Sequence, residues 1–103
     1  MAVLEVTTES FEDEVLEYEG KVLIDFWATW CGPCRMLSPV IDALSEETDR
    51  IKFVKVNVDE SPETAAKFDV QSIPTVIIIE NGKEINRTVG FIPKDALKSK
   101  LDI

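Results

Sequence analysis

The period of the apolar positions changes from segment to segment along this chain, and each change marks an element. Val3 to Val6 is a short strand candidate. From Glu9 to Tyr18 the apolar residues Phe11, Val15, Leu16 and Tyr18 follow helical spacing. Thr8 or Ser10 can cap that helix, Glu9, Glu12 and Asp13 suit its positive start, and Gly20 ends it. Val22 to Ala28 reads VLIDFWA, nearly continuous apolar sequence, which predicts a strand covered on both faces. Met36, Leu37, Val40, Ile41 and Leu44 then predict a helix over residues 34–44. Pro39 should kink it, because proline removes a backbone donor and crowds the preceding turn.

The second half repeats the alternation. Ile51 to Val58 is a β-branched run, and Ser61-Pro62-Glu63 signals a helix start with Ser61 as cap. Residues 74–80, PTVIIIE, predict a strand, and Asn81-Gly82 turns it into a hairpin with Glu84 to Val89. A last helix begins near Pro93, with Leu97 and Leu101 four apart and Lys98 and Lys100 near its negative end. Strands alternating with helices, followed by a hairpin and a terminal helix, predict an α/β three-layer sandwich. Its central mixed sheet has about five strands and is flanked by about four helices. At 103 residues the chain makes one domain, residues 1–103.

Charge and composition narrow the function classes. The net charge of −9 disfavours nucleic acid, whose binding depends on neutralising phosphates with Lys and Arg. No apolar run approaches the roughly 20 residues that cross a bilayer, so no membrane partner is expected. The start, MAVLEVTTES, lacks the basic and apolar regions of a signal peptide, and the expected compartment is cytoplasmic. The chain contains no histidine, so proton transfer near neutral pH falls to a carboxyl, a thiol or water.

The only two cysteines lie three apart in WCGPC, as Cys31 and Cys34. A structural zinc site normally takes four Cys or His ligands, and here it would need a second subunit or unusual carboxylates. A purely structural disulfide gains least when the closed loop is this short. A reversible redox pair fits better. At the start of a helix this spacing puts the two α-carbons roughly 5 Å apart, within disulfide range. Cys31 then faces free backbone N–H groups and the positive end of the helix dipole, which favour the nucleophilic thiolate by about one pKa unit. Gly32 keeps the approach open, Pro33 presets the first turn, and Cys34, further in, acts second. This reading takes the Cys31 sulfur to be exposed.

Trp27-Ala28 and Trp30-Cys31-Gly32-Pro33-Cys34 resemble the active site of the thioredoxin family. The likeness runs nearly end to end, through Asp25-Phe26-Trp27, Pro39, Lys55, Ile73-Pro74-Thr75, Asn81-Gly82 and Val89-Gly90. It implies the thioredoxin fold and a thiol–disulfide oxidoreductase that reduces disulfides in other proteins, a protein-disulfide reductase. Cys31 would be the nucleophile and Cys34 the resolving thiol. No glycine-rich nucleotide loop is present, so no bound cofactor is expected beyond the redox-active Cys31–Cys34 disulfide itself. The resemblance implies electrons from an NADPH-dependent flavoprotein reductase, disulfide-containing target proteins as partners, and a monomer. Gly-Pro between the cysteines resembles the reducing members rather than the oxidases. A redox-independent assembly or regulatory subunit using the same surface is the alternative from another class.

Three more positions carry expectations. Asp25 inside VLIDFWA either reaches water at a strand end or is a desolvated acid with a raised pKa. The resemblance gives it proton transfer with Cys34, through water. Lys55 alternates with Ile51, Phe53 and Asn57 and either snorkels to solvent or, as the resemblance implies, lies near Asp25 and modulates it. Proline at the first residue of a strand is sterically permitted, so Pro74 has a purely structural reading. The resemblance makes the Ile73–Pro74 bond cis and facing the disulfide, with Trp30, Ile73, Pro74 and Gly90 forming a flat substrate-binding patch. Phe91 either packs down as core, the favoured reading, or enlarges that patch, and Trp27 is expected beneath the active-site loop.

Overall fold

The computed structural model describes residues 3–103. Strand β1 (Leu4–Glu5) is followed by α1 (Thr8–Phe11), which runs directly into a wider π-helical segment (Glu12–Leu16). Then come β2 (Lys21–Trp27), α2 (Gly32–Glu47), β3 (Ile51–Asn57), α3 (Pro62–Lys67), β4 (Thr75–Glu80), β5 (Lys83–Val89) and α4 (Lys94–Leu101). The sheet order is β1-β3-β2-β4-β5. β1, β3 and β2 run parallel, while β4 and β5 are antiparallel to their neighbours. This is the expected mixed sheet of five strands, with four helices packed on it.

Period-two alternation along β2 divides the core. Val22, Ile24 and Phe26 join Val54, Val56, Ile77 and Ile79 under Phe11 and Val15 on one face. Leu23 faces the other way, joining Phe53, Val76 and Ile78 under Leu37, Ile41 and Leu44 of α2 and Leu97 and Leu101 of α4. Asp25, two residues beyond Leu23, therefore falls on the α2 face. Burial on both faces explains why β2 reads as continuous apolar sequence.

Several expectations need correction. The first helix is capped at Thr7, whose backbone N–H donates to Ser10 Oγ at 3.1 Å. Glu17 N–H bonds back to Glu12 O, five residues away, and the helix ends before Tyr18, which is exposed. Met36 is also exposed, because the inward stripe of α2 is Cys34, Leu37, Ile41 and Leu44 and its neighbour turns away. α2 starts earlier and ends later than expected, with Pro39 inside it. Ser61 precedes α3, but its hydroxyl accepts from Thr8 N–H at 3.1 Å instead of capping its own helix. It thereby ties α1 to α3.

The Asn81-Gly82 hairpin forms as expected. Both residues have positive φ, 50° and 84°, which is the backbone that this dipeptide tolerates. A Cβ at position 82 would also approach Leu16 O to 3.1 Å.

Candidate active site

The middle strand β2 delivers the chain through Ala28-Thr29-Trp30 to Cys31, the N-cap of α2. Cys31 and Cys34 are joined by a disulfide, with α-carbons 5.2 Å apart. Cys31 has the extended backbone of an N-cap, and its sulfur accepts from Cys34 N–H at 3.2 Å. A sulfur in this position meets an amide donor that the helix leaves unpaired. Ile73 O lies 3.8 Å from the same sulfur. A Cβ at Gly32 would meet only the tip of Arg35, at 3.9 Å, so the space outside Gly32 is not filled by the protein itself.

One expectation fails here. Cys31 retains 4% of its surface and Cys34 3%, so the outer residue is not open to solvent in this bonded state. Ala28 shares the cluster with both cysteines, and Trp27, Val58 and Ile73 pack against it. Trp30, one residue before it, is by contrast 67% exposed.

Asp25 is buried, and its Oδ1 has no hydrogen-bond partner. Desolvation pushes its pKa up to about 7, assisted by the charge of Asp42 and opposed by Lys55. Lys55 is its register partner on β3. That side chain is half-buried and lies over Trp27, with Nζ 5.2 Å from the ring centroid, a cation–π contact. Asp25, Trp27, Cys34, Arg35, Ser38 and Lys55 line one cavity of about 100 Å³. The structure thus brings the acid and the inner cysteine to a shared space behind the disulfide.

On the other side, the Ile73–Pro74 bond is cis. Thr75 Oγ1 donates to Ser72 O at 2.6 Å, and Gly90 N–H donates to Pro74 O at 2.8 Å. The first bond is local to the start of β4, and the second ties the residue after β5 to the one before β4. Pro74 is itself buried, so it underlies the patch and does not form its surface. Trp30 is exposed, and Ile73 and Gly90 are half-buried. Phe91 is 36% exposed, not in the core, because Ile92 takes the inward position beside α4. A groove of about 430 Å³ runs between Trp30 and Ile73, over Val58, Val70, Gln71 and Ser72.

Several supporting residues escaped the sequence reading. Asp59 Oδ2 accepts from Trp30 Nε1 at 2.7 Å, and Asn57 Oδ1 accepts from Asp59 N–H at 2.9 Å, so the turn after β3 holds Trp30. Asn and Asp just before Ser61-Pro62 are turn-forming residues, a signal that was available. Arg35 Nη1 donates to Thr29 O at 2.9 Å, which ties the first turn of α2 to the loop before it. Nothing in the sequence alone announces that contact.

A disulfide at a helix start, a buried acid behind it and a cis-proline beside it define a small protein of dithiol–disulfide exchange. A family model described as Thioredoxin matches residues 2–103. The chain is 48% identical over 103 residues to a thioredoxin of Porphyra purpurea, covering 99% of this chain and 96% of that one. It is 47% identical over 98 residues to thioredoxin 1 of Synechococcus elongatus, covering 94% and 92%. With a thioredoxin of Bacillus subtilis it shares 48% over 99 residues, covering 95% and 93%. The chain belongs to the thioredoxin family. It is a thiol–disulfide oxidoreductase, a protein-disulfide reductase working through Cys31 and Cys34. The family acts on disulfide-containing targets and is returned to the dithiol by a reductase.

Among the described residues no helix is long and apolar enough to cross a membrane, and no group of three metal-ligating side chains is assembled.

Proposed function

We propose that the single domain, residues 1–103, reduces target proteins in two half-reactions. The Cys31 thiolate attacks the target disulfide and forms a mixed disulfide. Cys34 then attacks Cys31 Sγ, the reduced target leaves, and the Cys31–Cys34 bond remains. The N-cap position of Cys31 supports its role as nucleophile, since the amide of Cys34 and the helix dipole both stabilise negative charge on that sulfur. Asp25 takes the proton of Cys34. With no histidine in the chain, it is the buried carboxyl that shares a cavity with that thiol. Lys55 modulates Asp25 by holding its charged form down in energy.

Trp30, Ile73 and Gly90 form the surface that receives the target chain, with Pro74 setting it from beneath and Gly32 and Pro33 shaping the loop. The backbone of Ile73 beside the sulfur suits a target held by main-chain hydrogen bonds, a mode that tolerates many sequences. We further propose that the protein acts as a cytoplasmic monomer and draws its electrons from an NADPH-dependent flavoprotein reductase.

The observation that carries this reading is the disulfide at the N-cap of α2. Insulin reduction with dithiothreitol tests it. The wild type accelerates precipitation, and the Cys31→Ser, Cys34→Ser double variant does not. Cys34→Ser alone accumulates a mixed disulfide with the target. Activity surviving in the double variant would point instead to a redox-independent subunit.

A further inference from the structure

The cavity between Asp25 and Cys34 is walled by groups of very different chemistry. About 100 Å³ of water-accessible space is room for several waters, which need two to four polar partners each. Two wall residues carry buried polar atoms without a partner, Asp25 Oδ1 and Trp27 Nε1. Arg35 and Lys55 are cations that only donate; Arg35 is already bonded to Thr29 O, and Lys55 lies over the Trp27 ring. Ser38 contributes the one hydroxyl among these wall residues, a group that both donates and accepts at any pH. It stands four residues after Cys34 on α2, and so shares its face of the helix.

We propose that Ser38 is a positioning residue of the resolving half-reaction, its hydroxyl anchoring the water through which the Cys34 proton passes to Asp25. This rests on the assignment of Asp25 as proton acceptor. In the step, Cys34 Sγ bonds to Cys31 Sγ while the bond from Cys31 to the target sulfur breaks. The electron pair of that bond leaves with the target sulfur. The proton of Cys34 crosses the water to Asp25 and returns to solvent or to the leaving thiolate. The protein pair loses two electrons and the target disulfide gains two, so no further reagent enters. The charged groups facing Asp25 are Lys55 from β3 and Asp42 and Arg35 from α2; its register partner on β4 is the apolar Val76.

Stopped-flow oxidation of the reduced protein by excess peptide disulfide separates the steps, because the rate at saturation reports resolution and the initial slope reports attack by Cys31. Ser38→Ala should lower the saturating rate about fivefold, the worth of one net hydrogen bond, and leave the slope unchanged. The carboxyl of Asp25, followed by NMR, should titrate at higher pH in that variant. Ser38→Thr, which keeps a hydroxyl, should restore both within twofold. In an Asp25→Asn background, Ser38→Ala should add nothing. The proposal is overturned if Ser38→Ala keeps the saturating rate while Asp25→Asn lowers it, or if Ser38→Ala acts equally in both backgrounds. If Asp25→Asn itself leaves the saturating rate unchanged, the assignment of Asp25 falls and that of Ser38 falls with it.

Discussion

Removing the buried acid tests the energetic core of the mechanism, and Asp25→Ala is the perturbation. In the folded protein the pKa of Asp25 is pushed from 3.8 to about 7, chiefly by desolvation. A carboxyl with a raised folded pKa contributes most stability below its unfolded pKa, and that contribution is lost as pH rises through the folded pKa. The window here runs from about pH 4 to about pH 7. A displacement of about three units at about 1.4 kcal/mol per unit gives about 4 kcal/mol of lost stability. At pH 8 the wild type carries a buried anion and the alanine variant carries none. Urea unfolding of the oxidised proteins at several pH values measures the difference, and other titrating groups cancel between the two curves. The advantage of the variant over wild type should therefore grow by about 4 kcal/mol between pH 4 and pH 8. A constant difference across that range would refute the reasoning, since it would mean that Asp25 ionises as an ordinary surface carboxyl.

Lys55→Met removes the charge that opposes the desolvation of Asp25, so the Asp25 carboxyl should titrate at still higher pH; NMR titration showing no change or a fall would contradict the coupling. Trp30→Ala should raise the KM for a protein disulfide about tenfold, the effect of losing an interfacial anchor, with the melting temperature nearly unchanged because the side chain is mostly exposed. An unchanged KM would remove Trp30 from the target surface.

The fold was legible because its signals are local. The VLIDFWA strand, the Asn81-Gly82 turn and the Leu97–Leu101 pair each act within a few residues, and all three stand where their pattern predicts. The thiol pair was legible for the same reason, as three-residue spacing at a helix start fixes the α-carbon distance from helix geometry alone. Contacts between distant segments were less visible. Ser61 satisfies Thr8 across 53 positions in place of capping its own helix, and Asp59 holds Trp30 across 29. Exposure was the hardest property to read. Cys31, Pro74 and Phe91 were each placed on the wrong side of the surface, because burial of a loop residue depends on what the rest of the chain folds over it.

The central claim is that the Cys31 sulfur, at the N-cap of α2, is held as an anion ready to attack. Thiolate absorbance of the reduced Cys34→Ser protein, recorded against pH, tests it most directly. Ionisation of Cys31 clearly below the range of an ordinary free thiol is the predicted result; ionisation within or above that range would contradict the account.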